Sequence, residues 1–395
     1  MKIIGIEEEQ EKIKQIDAKK VLIASILVII IVITLVIIIT YVANKQFRDF
    51  MDQYVLMKNV MENAVTSIPI EDTQSNTIYA YDKYISILSQ NKLTGYNSSG
   101  KKEYELAVEI SNPIVDTTGR FLLIAESGKQ KIYLISGNEI IWEKELEGNI
   151  SRVSVNKNGY VSVVLTGTTY KSIIQTFDAY GNALFKTYLN SIAVDSDISN
   201  DNKYLSFAEI NTNGTLLQSI IKTISIQNAQ DNKSEAIISS YTLPSDVSII
   251  NLKYQDGNRL VCMYDNSIHI LQNETDEEIL SLQETGKKIT FADAELTNHA
   301  YRIIEKSSLL NSQSTVEIIN TSNKKINIYE LDSVVKEVYS YNEKIALNLG
   351  SEVHFIGMNG WLIKKYISTQ EVRKIVIANN FAGIVYRDKI EIVDL

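Results

Sequence analysis

The chain has 395 residues, 48 acidic against 39 basic side chains, a net charge of −9 and one cysteine. An acidic surface repels phosphate backbones and anionic headgroups, which argues against nucleic acid as a partner and against electrostatic docking on lipid. Cys262 alone permits no intramolecular disulfide, so the fold stands on packing; in the apolar run RLVCMY it reads as a buried, inert thiol.

Residues 1–20 form a polar tail in which five lysines balance four glutamates and one aspartate. Then comes Val21–Ala43, 23 residues without a charge. At a rise of 1.5 Å per residue, ~20 apolar residues cross a hydrocarbon core of ~30 Å. A cleaved signal peptide has a shorter apolar run, of ~7–15 residues, and a small-x-small site. Here Tyr41 stands where a small residue is wanted before Ala43. The segment therefore reads as an uncleaved signal anchor lodged in the bilayer. Lys12, Lys14, Lys19 and Lys20 lie before it, against Lys45, Arg48 and Lys58 beyond. That bias predicts a cytoplasmic N-terminus and an extracytoplasmic large domain, in a single-pass protein of the cell membrane.

Residues 44–64 read as a helical stalk. Phe47, Phe50, Tyr54, Met57, Met61 and Ala64 alternate in steps of three and four, an a/d seam that ends before Pro69. The seam fits either a short coiled coil pairing two chains as a homodimer, or an amphipathic helix on the membrane or on its own domain.

From residue 65 to 395 the helical period gives way to short Ile-, Val-, Tyr- and Thr-rich runs separated by Asn, Asp, Gly and Ser clusters. The clearest unit places four antiparallel strands in about 40 residues: Val153 and Val155, YVSVVL, YKSIIQTF and ALFKTYL, with turns at NKNG, GTT and DAYG. First turns recur near Tyr81, Asp116, Asn156, Asn200, Gln255, Thr297, Tyr341 and Asn379, at spacings of 35, 40, 44, 55, 42, 44 and 38. A second series of strand-then-turn marks, from GYNSSG at 95–100 to FIGMNG at 355–360, keeps the same phase. The fold class is therefore all-β, a β-propeller of eight blades, with seven as the alternative. The long spacing has a local cause, the polar insertion Gln227–Glu235. The last unit runs out after three strands, and residues 65–71 (VTSIPIE) are expected to supply its missing outer strand.

No catalytic, cofactor-binding or metal site is expected. His269, His299 and His354 have no second His or Cys at ligand spacing and read as structural. Asp195, Asp197 and Asp201 lack the glycine and the closing glutamate of a calcium loop, and fit a strand end followed by a turn. Trp142 and Trp361 read as outer-strand packing between blades, with Phe185 as a counterpart. There is no nucleophile elbow, phosphate loop or dinucleotide fingerprint, and sialidase boxes and quinoprotein docking repeats are missing.

The runs ISNPIVDTTGRFLLIAESGKQKIYLI at 110–135, ISRVSVNKNGYVSVVL at 150–165, YKSIIQTFDAYGN at 170–182 and DISNDNKYLSFAE at 197–209 resemble an uncharacterised clostridial family of membrane-anchored propellers, domain of unknown function 5711. The last run also resembles the blade consensus of TolB-type propellers, with Asn200-Asp201-Asn202 where that consensus has Pro-Asp-Gly. The resemblance implies a single-span protein with an extracytoplasmic propeller and carries no activity or site residues. The expected function is a non-catalytic scaffold or sensor that binds a protein or cell-wall component. The alternatives are an enzyme acting on sugars or peptidoglycan fragments in the central channel, favoured if carboxylates converge there, and an envelope assembly factor. Recognition is expected on the blade turns and the 227–235 insertion.

Overall fold

The computed structural model describes residues 18–43, 47, 51, 55, 66–71, 77–89, 91–212, 217–231, 235–272, 275–307, 312–368 and 370–395. The chain divides into two units, residues 1–60 and 61–395. In the first, helix α1 runs Ala18–Ala43, three residues ahead of the apolar boundary. Its segment Ser25–Ala43 has a mean hydropathy of 3.3 and is long and apolar enough to cross a membrane. Thr34 and Thr40 return their hydroxyl protons to the carbonyls of Ile30 and Val36, so neither leaves an unmet donor on an apolar helix. The expected stalk seam lies almost wholly outside the described residues.

The second unit is an eight-bladed propeller. Eight four-stranded sheets follow one another, and seven pair their strands in strict chain order. Blades 1 to 7 span 78–107, 113–145, 149–189, 192–242, 249–281, 288–331 and 337–367. Blade 8 takes three strands from 374–394 and its outermost strand, Thr66–Pro69, from the start of the unit. Thr66 faces Ile392 and Pro69 faces Lys389 in antiparallel register, so the two ends of the domain close the ring, as the truncated last repeat anticipated. Closure removes the open edge that three strands would leave.

Burial follows from position in the blade. The third strand of blade 3, Ser172–Phe177, is buried at every residue because neighbouring blades cover both of its faces. The outer strand of blade 2, Glu139–Glu145, alternates, with Trp142 inward against Phe177 of blade 3, ring centres 5.7 Å apart. The core thus lies between blades. Close approach is extreme at Gly95, mid-strand in blade 1, where an added Cβ would sit 2.0 Å from the Tyr104 ring.

Three local readings are revised. Asp116 lies inside the inner strand Pro113–Thr118, and the turn falls at Gly119-Arg120, where Gly119 takes φ +57°. Thr117 and Thr118, both β-formers, carry the strand past the aspartate. Trp361 is not in the outer strand: it sits in the turn before Leu362–Ile367 of blade 7 and is 49% exposed. The Asn359 side chain accepts its backbone N–H at 3.0 Å, which fixes the turn one residue early. The described part of the 227–235 insertion opens with a short helix, α2 (Ile226–Gln230), capped by Ser225.

Candidate functional site

The eight inner strands line the axis of the ring, and their free edges present backbone N–H groups to one another. Buried donors of this kind need acceptors. The chain supplies them as carboxylates one blade back. Asp116 Oδ2 accepts the Val155 N–H at 2.8 Å, joining blade 2 to blade 3. Ser154 Oγ donates to Asp197 Oδ1 at 2.6 Å, joining blade 3 to blade 4. Asp195 Oδ2 and Asp197 Oδ2 accept the N–H groups of Leu252 (3.0 Å) and Tyr254 (2.7 Å), joining blade 4 to blade 5. Gln255 donates to the carbonyls of Ala294 and His299 in blade 6, and Ser340 of blade 7 donates to Asp293 Oδ2 at 2.5 Å. Lys374 Nζ donates to the Ile78 carbonyl at 2.7 Å, joining blade 8 to blade 1.

Asp116, Gln255, Asp293, Ser340 and Lys374 line a cavity of about 650 Å³ on the axis. Lys253, from the inner strand of blade 5, reaches across it. Its Nζ lies 3.3 Å from Asp116 Oδ2, 3.3 Å from Ser154 Oγ and 3.5 Å from Asp197 Oδ1. Burial works against its charge, but Asp116 and Asp197 outweigh it and raise the ammonium above its usual range. One lysine does not neutralise Asp116, Asp195, Asp197, Asp293 and Glu295 together. Burial and the neighbouring Asp197 lift Asp195 to about 6 despite the Leu252 N–H. Burial also raises Asp197, against the pull of Lys253. Glu295, which accepts from Asn251 Nδ2, is lifted to about 7 by desolvation and by Asp293.

One mouth of the cavity is ringed by the turns that join inner to second strands, and these are tied side to side. Asn156 donates to Ser199 and Asn202, Lys157 pairs with Asp256 at 3.0 Å, and Asn342 donates to Asn379. Tyr341 of blade 7 donates across the opening to the Gly119 carbonyl of blade 2. The turns before each outer strand emerge on this same face. Among them Tyr180 of blade 3 is 81% exposed and Trp361 of blade 7, four blades round the ring, is 49% exposed.

Of the sequence candidates, Asp195 and Asp197 belong to the axial cluster, at the end of the inner strand Ile192–Ile198. Asp201 belongs to the following turn, with Ser199 donating to it. The three histidines do not converge. His269 contacts Asp276, His299 lies beside Glu343, and His354 contacts Tyr329. Cys262 is buried in Arg259–Tyr264 and desolvation pushes its thiol up, away from the reactive thiolate. Among the described residues no three His, Cys, Asp or Glu are placed to hold a metal ion. Sequence reasoning missed Asp116, Lys253, Asp293 and Glu295 as a group. The signal was available in the phase of the repeat, since each lies within five residues of the first turn of its unit.

No curated protein sequence matches the chain. Solved structures with the same architecture include BamB from Moraxella catarrhalis, at 12% identity and a TM-score of 0.48, covering 84% of this chain and 99% of that one. Hydrazine synthase from Kuenenia stuttgartiensis gives 12% and 0.43, covering 82% and 97%. Apo AztD from Citrobacter koseri gives 12% and 0.47, covering 76% and 88%. At such identity the likeness is one of fold. The family described as a family of unknown function (DUF5711) matches residues 59–395, the whole propeller, and the chain belongs to that family.

Proposed function

We propose that the protein is a non-catalytic scaffold or sensor, held in the cell membrane by residues 21–43 with residues 1–20 in the cytoplasm, whose extracytoplasmic propeller binds a protein or cell-wall component. The observation that carries this reading is the use made of the axial acids. Asp116, Asp195 and Asp197 each accept a backbone N–H from the next blade, and Asp293 accepts the Ser340 hydroxyl. Carboxylates so engaged hold the ring rigid, and recognition falls to the turns on its rim. Tyr180 and Trp361 supply the exposed aromatic surface from which interface hot spots are commonly built.

A second reading, an enzyme acting within the channel, is favoured by the four carboxylates, Asp116, Asp256, Asp293 and Glu295, that line one 650 Å³ cavity and by the burial that lifts Glu295 to about 7. In-cell crosslinking from membranes separates the two. The full chain, a Tyr180→Ser/Trp361→Ser variant and a chain lacking residues 47–64 are compared. An envelope partner captured by the full chain and the shortened chain, but lost from the double variant, supports the scaffold. Capture of only a second copy, lost with residues 47–64, makes the stalk a dimeriser and turns attention to small ligands in the channel.

A further inference from the structure

Blade 5 holds a side-chain arrangement found in no other blade among the described residues. Its third strand, Ser267–Gln272, pairs with the outer strand Thr275–Ser281. Ser267 and His269 are two apart on one strand and so share a face. Ser267 Oγ lies 2.7 Å from His269 Nε2, and His269 Nδ1 lies 2.8 Å from Asp276 Oδ1. The carboxylate is itself held: Tyr241, from the outer strand of blade 4, donates to Oδ2 at 2.9 Å and Tyr264 to Oδ1 at 3.3 Å. Burial pushes Asp276 up, but the bonds from His269 and Tyr241 outweigh it and leave it below the usual carboxylate range, ionised. The imidazole is further fixed by packing on the Tyr264 ring, centres 4.4 Å apart.

The plain structural account is a polar clasp between blades, and the other blades show what such a clasp looks like. Near the start of their third strands, Ser172 accepts the Ala193 N–H, Ser219 accepts the Ile249 N–H, and Ser314 donates to the Ser333 carbonyl. All three tie their blade to the connection leading onward. Ser267 does not: its hydroxyl donates to Asn266 Oδ1 at 2.7 Å and lies within hydrogen-bond reach of His269 Nε2, to which the proton must turn for the hydroxyl to act. Blade 7 repeats the histidine at His354 but flanks it with Glu352 and Tyr329, leaving no nucleophile. Among the described residues, blade 5 alone sets hydroxyl, imidazole and carboxylate in hydrogen-bond reach of one another in that order.

We propose that Ser267, His269 and Asp276 form a nucleophilic triad that takes a small activated acyl or phosphonyl group onto Ser267. In the step, Ser267 Oγ bonds to the acyl carbon or phosphorus while its proton passes to His269 Nε2. The bond to the leaving group breaks, and that group departs with the proton. Asp276, bonded to Nδ1–H, holds the ring and stabilises the transient imidazolium. Ser267 is 4% exposed, and the side chains of His269 and Asp276 are 14% and 12% exposed, which limits attack to a small electrophile. The step loads one group onto the chain without turnover, so it is compatible with a non-catalytic scaffold; it is independent of partner binding at the rim, and each can fail without the other.

The test treats the full chain in detergent with a short alkyl fluorophosphonate and reads intact mass and the modified peptide. The expected result is one adduct on Ser267, absent in Ser267→Ala and formed at least 100-fold more slowly in His269→Gln. No adduct on the folded wild-type chain, an adduct elsewhere only, or an unchanged rate in a His269→Gln variant of unaltered melting midpoint overturns the proposal. The wild-type arm decides alone if a variant does not fold.

Discussion

Lys253 Nζ on blade 5 lies 3.3 Å from Asp116 Oδ2 on blade 2, so one side chain links strands three blades apart around the ring. Asp197, the lysine's other ionic partner, is 2% exposed. Removing one partner of a buried ion pair leaves the other charge unmet, at a cost of about 3–5 kcal/mol. Lys253→Met should therefore destabilise the propeller by about that amount in urea unfolding. Adding Asp116→Asn, which removes a stranded charge, should recover part of the loss, as coupled neighbours do. Equal stability of Lys253→Met and wild type would mean that the lysine is only a solvated guest.

The axial acids also set a pH dependence, and its sign can be derived. Asp195 titrates near 6 in the folded chain against a usual 3.8. Between those values the native state holds a proton that the unfolded state has lost, so this group's contribution to stability falls as pH rises through the window. Asp195→Asn keeps an acceptor for the Leu252 N–H and has no charge to strand. The stability of Asp195→Asn relative to wild type should rise from pH 4 to pH 6 and level off above. A flat difference across that range would show that Asp195 is not desolvated in solution.

Ring closure was legible in the sequence because it follows from counting: a last repeat with three strands and a spare strand-like run at 65–71 leave one economical pairing. Blade number was legible for the same reason, two independent turn series in one phase. The axial cluster was not. Whether Asp116 or Lys253 points along the axis depends on strand register, and bulges between Ile249 and Asn251 and between Ala193 and Asp195 shift it within single strands. The Ser267–His269–Asp276 set was hidden differently. Its first two members are two apart in the sequence, but Asp276 joins them only through the pairing of the third and outer strands.

Closure makes a prediction of its own. Ile68, Ile390 and Ile392 are each at most 2% exposed, in the seam where the domain's first and last strands meet. Deleting 390–395 strips the partner of Thr66–Pro69 and reopens the ring. The whole propeller should then lose its cooperative melting transition. A variant that keeps the main transition and loses only a few protected amides by hydrogen exchange would show that the blades hold without closure. Ile392→Ala, a milder cut, should cost about 2–5 kcal/mol.

The approach of Tyr104 to Gly95 is a test of whether blade 1 is as rigid as its geometry. Gly95 faces the Tyr104 ring so closely that a methyl group would overlap it. The ring cannot move away freely, since its hydroxyl bonds Tyr81 at 2.5 Å and Ser86 at 2.7 Å, both buried. Gly95→Ala must therefore either break these bonds or bend the strand. Overpacking of this kind costs about 1–3 kcal/mol, and stranding a buried hydroxyl about 1–3 kcal/mol more. In a Tyr104→Leu background both obstacles are gone, and the same substitution should cost well under 1 kcal/mol. Urea unfolding of the four chains gives the coupling directly. A cost for Gly95→Ala that is the same with and without Tyr104 would place the strain in the backbone of the strand rather than in the ring that covers it.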